Sequence, residues 1–171
     1  MAAAGTDPAQ EFVAWAGARQ HAFVRTAYLL TGDLHRAEDL VQEALVQVAL
    51  RWRRLAAGNP EAYARQVIVR TNVSWWRRRR RELVGAVPDR AGRGEADEVD
   101  RRLVLSRALA RLTPKQRAVL VLRFYDDLGE AEVAEAWGMS VGTVKSQTHA
   151  ALKRLGTGAP ELGELIGGIH P

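Results

Sequence analysis

Three groups of side chains have the types and spacing to grip another macromolecule. Lys145, Ser146, His149 and Lys153 recur on one side of a helical period and offer N–H and O–H donors of the kind that meet phosphates and base edges in a major groove. Arg77 to Arg81 are five consecutive arginines directly after Trp75-Trp76, which joins phosphate neutralisation to rings on which exposed bases stack. Trp75 also fits the core, whereas Trp76 is harder to bury beside it. Glu38, Asp39, Gln42, Glu43 and Gln47 make an acidic and amide helix face. That face reads either as ordinary solvated surface or as a docking site that steers a basic protein by charge. No catalytic constellation accompanies them: His21, His35, His149 and His170 are scattered, and no carboxylate cluster has metal-ligand spacing. The expectation is a binding protein with no enzymatic chemistry, no metal and no cofactor.

The elements that must position these groups are helical throughout. Glu130 to Leu155, EAEVAEAWGMSVGTVKSQTHAALKRL, reads as a helix-turn-helix. Small residues Ala131, Val133, Ala134 and Ala136 let a second helix cross closely, Gly138 supplies a φ > 0 turn, and Ser140 stands where an N-cap is wanted. Val141, Val144, Ala151, Leu152 and Leu155 mark the buried stripe, leaving the donors outside. A pair of solvated amphipathic helices is the plainer reading of this stretch. Before it, Thr113-Pro114-Lys115-Gln116 has the form of a capping box with proline at the first helical position, opening an apolar helix over Arg117 to Tyr125.

In the first half, Phe12, Ala16, Phe23, Ala27 and Leu30 keep a helical period that Thr31-Gly32 ends. Asp33 caps a second helix whose apolar stripe runs from Leu34 to Trp52. A loop over Arg53 to Asn59 follows, and a third helix runs from Pro60 into the arginines. Residues 82–100, with Pro88, three glycines and six acids, read as a linker. The expected organisation is therefore all-α: a helical block at 1–81, an acidic flexible linker at 82–100, a helix-turn-helix domain at 101–156 and a loose tail at 157–171.

Charge follows the same division. Residues 1–81 carry a net +6, the linker −4 and residues 101–171 +3, which suggests a polyanion met by both blocks. The linker then either avoids that polyanion or masks the blocks. An apolar fraction of 47% suffices for globular cores, and the absence of cysteine excludes disulfides and thiolate metal sites. No apolar run reaches membrane-spanning length and the first residues do not resemble a signal peptide, so a soluble cytoplasmic protein without membrane insertion is expected.

DLHRAEDLVQEAL (Asp33 to Leu45), the arginine-ended third helix, the linker, and LTPKQRAVLVLRFYDDLGEAEVAEAWGMSVGTVKSQTHAALKRL (Leu112 to Leu155) together resemble an extracytoplasmic-function (ECF) sigma factor of bacterial RNA polymerase. The arginine- and alanine-rich composition suggests an actinobacterial source. The resemblance implies a σ2-like bundle and a σ4-like helix-turn-helix domain. It implies docking of Glu38, Asp39, Gln42 and Glu43 on the β′ clamp helices of core polymerase, and contact of the second block with the β flap. Promoter DNA is the other partner implied. Arg53, Arg54, Asn59, Arg65, Asn72, Trp76, Arg77 and Arg80 are then assigned to the −10 element, with the 53–59 loop capturing a flipped base. Asn59 fits a helix cap equally well. Arg123, Thr143, Lys145, Ser146, His149 and Lys153 fall to the −35 element. An anti-sigma factor is a further partner such factors often have. Gly129 departs from the Ser or Thr usual at its place, at little cost to the cap. A stand-alone helix-turn-helix regulator is the alternative function, and it has no need of the acidic face.

Overall fold

Asp7 starts the first helix by accepting the Ala9 N–H on its side chain at 3.1 Å, with Pro8 at the first helical position. The chain is known here as a computed structural model that describes residues 7–82 and 105–158; the expected linker and tail lie essentially outside them. Helix α1 spans Pro8–Thr31 and stops at Gly32, whose φ of 71° lets its N–H reach the Tyr28 carbonyl at 2.7 Å. Asp33 then caps α2, Leu34–Ala49, through the Arg36 N–H. This helix ends before Trp52, earlier than its apolar stripe suggests, and Arg51 just beyond it folds back onto the Gln47 carbonyl and side chain at 3.2 and 2.6 Å.

Trp52 nevertheless stays in the core. It opens a single helical turn, α3, Trp52–Leu55, so the segment expected as loop begins with helix. Phe12 and Trp15 of α1 meet the Trp52 ring at centroid distances of 5.5 and 5.4 Å, in the edge-on and tilted geometries aromatic quadrupoles favour. Asn59 caps α4, Pro60–Glu82, by accepting from the Ala62 N–H at 2.9 Å. Ala64, Ile68 and Val69 of α4 pack against the buried stripe Ala37, Val41, Ala44 and Val48 of α2.

The second block begins with α5 (residues 105–110) and α6, Pro114–Leu120, whose Thr113–Gln116 box closes reciprocally at 3.2 Å. From Val121 the expected α-helix widens into a π turn, Val121–Tyr125, ending with the Asp126 N–H on the Val121 carbonyl. The added width keeps Val121 and Leu122 buried but turns Phe124 and Tyr125 outward. Helix α7, Glu130–Trp137, starts at Gly129, where the Glu132 carboxylate accepts the Gly129 N–H at 2.6 Å. Gly138, at φ 71°, turns the chain into α8, Val141–Gly158, capped by Ser140. Val144, Ala151 and Leu155 of α8 are buried against α6 and α7. No strand occurs among the described residues, and no described helix is long and apolar enough to cross a membrane.

The two blocks share one core, and a buried cation ties them. Arg117 donates to the Leu109 carbonyl at 2.8 Å and to the Leu30 carbonyl, in the last turn of α1, at 3.0 Å. Burial lowers its pKa to about 10, so it remains charged at neutral pH. Arg117→Met should therefore lower unfolding free energy by about 1–3 kcal/mol in urea titrations, since the Leu30 carbonyl loses its charged donor. A midpoint equal to wild type would contradict this role.

Candidate nucleic-acid interface

The buried stripe of α2 dictates its exposed one. With Ala37, Leu40, Val41, Ala44 and Val48 inside, Glu38, Asp39, Gln42 and Glu43 all point to solvent on one face. Two apolar side chains extend the same face: Val46 is 54% exposed and Leu50 75%. Exposed aliphatic groups beside acids and amides are compatible with a protein contact on this face.

Helix α4 runs alongside. Thr71 donates to the Glu43 carboxylate at 3.4 Å, and beside that contact lies a shallow, open groove of about 450 Å³ lined by Glu43, Arg70, Thr71, Ser74, Arg77, Arg78 and Arg81. Positions 70, 74, 77 and 81 follow a helical period, so the guanidinium groups form a stripe rather than a cluster at the helix end. Arg70 and Ser74 are absent from the sequence-derived set, and Arg78 and Arg81 entered it only through the five-arginine run, although this spacing is visible in the sequence. Such a stripe of planar donors suits a phosphate backbone.

The remaining residues assigned to the −10 element divide. Arg53, Arg54 and Arg77 are exposed, and Asn59 is engaged as the α4 cap. Trp76 is half-buried, edge-on to Trp75 at 5.1 Å. The side chain of Arg80 lies outside the described residues. Asn72 is only 1% exposed: it faces α2 and accepts from Arg36 at 3.5 Å, so its place is in the packing between the helices. Its neighbours Val69 and Val73 are buried on the same side, which a reading by residue type overlooked. Arg65 is also drawn inward, onto Glu61 at 2.7 Å and Asp126 at 3.0 Å.

Trp75 is not part of the apolar core. Its ring meets two guanidinium groups, Arg36 at 3.3 Å from the centroid and Arg79 at 4.9 Å. Partial burial lowers the Arg36 pKa to about 10, with the positive Arg79 and Arg78 acting in the same sense and Asp33 and Asp39 opposing. Arg36 still carries its charge at neutral pH, fixing α2 against the base of the arginine stripe.

In the helix-turn-helix, Thr143, Lys145, Ser146, His149 and Lys153 are all exposed on α8, opposite Val144 and Ala151. Lys145, His149 and Lys153 follow one another at intervals of four and so form a row. Thr143 exchanges a hydrogen bond with Ser140 at 2.9 Å, and Ser146 donates to the Thr143 carbonyl at 3.0 Å. Lys145 pairs with Glu130 at 3.6 Å while remaining largely exposed, so the pair is weak and readily exchanged for a phosphate or base. Arg123 instead donates to the Leu128 carbonyl at 3.0 Å, bracing the loop before α7.

Comparison with known proteins agrees with this geometry. Residues 16–82 match the family model for Sigma-70 region 2, and residues 102–155 match that for Sigma-70 region 4. The chain is 40% identical over 148 residues to the RNA polymerase sigma-E factor of Streptomyces avermitilis, spanning 85% of this chain and 83% of that protein. It is 36% identical over 158 residues to the ECF RNA polymerase sigma factor SigL of Mycobacterium tuberculosis, spanning 84% and 87% respectively. Among solved structures, the sigma factor RpoE, crystallised with the anti-sigma factor NepR from Bartonella quintana, shares the fold. The TM-score is 0.69, with 24% identity over 86% of this chain and 96% of that one. Two sigma-70 regions in order, on a chain that covers most of its actinobacterial relatives, place it in a family: it belongs to the ECF sigma factors of bacterial RNA polymerase.

Proposed function

We propose that this sigma factor meets core polymerase through the acid–amide face of α2 and meets promoter DNA at two separate places, with no chemistry of its own. Glu38, Asp39, Gln42 and Glu43 engage the β′ clamp helices, and Val46 and Leu50 supply the apolar end of that contact. The arginine stripe of α4 and the 53–59 segment take the −10 element, where binding an extruded base recovers the few kcal/mol spent on flipping it. Lys145, Ser146, His149 and Lys153 read the −35 element, and the apolar side of the second block, with exposed Phe124 and Tyr125, meets the β flap. The factor works in the cytoplasm, where polymerase is. An anti-sigma factor, such as the one bound to the Bartonella protein, would compete for these same faces.

The supporting observation is the adjacency of the two faces on the first block: Glu43 belongs to the acid–amide surface and also lines the arginine groove. Polymerase docking and DNA binding would then occur side by side on one pair of helices. Footprinting with core polymerase tests this. The factor should extend protection over both elements and render thymines near the start site reactive to permanganate. Protection over a single element with no reactive thymines would overturn the proposal and favour a stand-alone regulator.

A further inference from the structure

Two guanidinium groups meet the ring of Trp75 from different helices, and among the described residues neither has a carboxylate at salt-bridge distance. Arg36 comes from α2 and Arg79 from α4. Arg78 stands close enough that its charge also bears on Arg36. Asp33 and Asp39 act on Arg36 only from farther off, and Asp33 is already engaged as the α2 cap. Like charges gathered without a counter-ion cost free energy, which an arriving anion removes. The donors of Arg36 are short of acceptors in the same way. Its Nε is buried with no hydrogen-bond partner, and its side-chain bond to Asn72 Oδ1 is stretched to 3.5 Å. A guanidinium offers five N–H donors, so most of these have no acceptor in the protein.

These groups do not belong to the arginine groove. Arg70, Ser74, Arg77 and Arg81 occupy one side of α4, whereas Asn72, Trp75 and Arg79 follow at intervals of three and four on the opposite side. Inside the bundle that opposite side is buried, at Val69, Asn72 and Val73. Beyond Val73 it emerges from the core, and Arg79 is exposed. On α2, Arg36 precedes Asp39 by three residues and Glu43 by seven, so it borders the acid–amide face.

We propose that Arg36, stacked on Trp75, and Arg79 form a second anion site that takes one backbone phosphate of the promoter duplex, on the strand opposite the one gripped by the arginine groove. The inference rests on the reading of α4 as the −10 helix, and it adds a residue of the docking helix to the DNA contacts. A helix with its side chains is about 10–12 Å across, close to the roughly 12 Å width of a DNA major groove. The end of α4 therefore fits between two strands with guanidinium groups toward each. Stacking on the ring holds the planar fork of Arg36 ready for a phosphate, which a lysine in its place could not do.

The test uses holoenzyme reconstituted with core polymerase and promoter duplexes in which single phosphates across the −10 element, on either strand, are replaced by neutral methylphosphonates. For wild type, one such replacement on one strand should weaken binding by about three- to tenfold. Arg36→Met keeps the stem against Trp75 and should lose a similar amount on unmodified DNA. The same methylphosphonate should then cost it nothing further, as expected when both changes remove one contact. Its binding should also fall less steeply with salt, the log–log slope being smaller by about one. Arg79→Gln, at an exposed position, should be insensitive at the same phosphate. Arg77→Gln with Arg81→Gln should become insensitive at a phosphate of the other strand. Weakening of Arg36→Met by an equal factor at every position, with the wild-type slope, would make Arg36 a strut between helices and refute the site. If the Arg77 and Arg81 pair still shows its own coupled phosphate, the −10 assignment of α4 survives that result. Indifference of wild type to every replacement in the −10 element would refute that assignment and the site together.

Discussion

Asp39→Lys with Glu43→Lys should abolish stable association with core polymerase while leaving the fold unchanged. Both side chains are exposed on α2, and the residues that hold that helix, Ala37, Leu40, Val41, Ala44 and Val48, point the other way. Replacing exposed side chains costs the fold little, so circular dichroism and the urea midpoint should stay close to wild type. Two reversals turn attraction to a basic helix pair into repulsion. Charge pairs desolvated at interfaces carry 2–5 kcal/mol when one partner is lost, so the affinity loss should be on the order of 10² to 10³. Co-purification with the β′ subunit at wild-type yield would remove the docking face from the account.

Lys145→Ala with His149→Ala should have a different signature: altered preference at −35 with unchanged dependence on −10. The two residues lie one turn apart on the exposed row of α8, opposite the buried Val144 and Ala151, so their loss leaves the packing of the helix-turn-helix alone. Base contacts of this kind carry about 1–3 kcal/mol of discrimination each, so losing two predicts a flattening of roughly thirtyfold or more in the differences among −35 variants. Transcription from templates varied separately at the two elements reads this directly. An unchanged −35 preference would mean that α8 contributes only phosphate contacts.

Local chemistry made much of this structure legible before any coordinates. Asp33, Thr113 with Gln116, Asn59 and Gly138 mark helix ends by capping and turn geometry that depends on a few neighbouring residues, and all four act where expected. The exposed row Lys145, His149, Lys153 was equally plain, because the stripe opposite it is apolar. What could not be read depended on the approach of distant segments. Asn72 resembles a base-contacting residue by type, yet its packing partner Arg36 lies 36 positions away. Trp75 was placed in the core or against bases, but its ring meets two guanidinium groups, one of them from α2. Arg65 is claimed by Asp126, 61 positions on.

The π turn is a further case. Arg117 to Tyr125 has the apolar content of a buried helix, and nothing in its pattern reveals the widening at Val121 that exposes Phe124 and Tyr125. By contrast, the stripe Arg70, Ser74, Arg77 and Arg81 was available from spacing alone. Attention to the five-arginine run hid it, because a run of like residues surrounds a helix whereas a spaced set defines one side of it.

In the proposed function, two separate surfaces on α4 and α8 read two DNA elements whose separation polymerase fixes. Spacer length tests this most directly. Inserting about 5 bp between the −35 and −10 elements turns one to the opposite side of the duplex, half of a 10–10.5 bp helical turn. With reconstituted polymerase, initiation should fall to near the level of a template lacking −35. Initiation that is indifferent to the insertion would contradict the account.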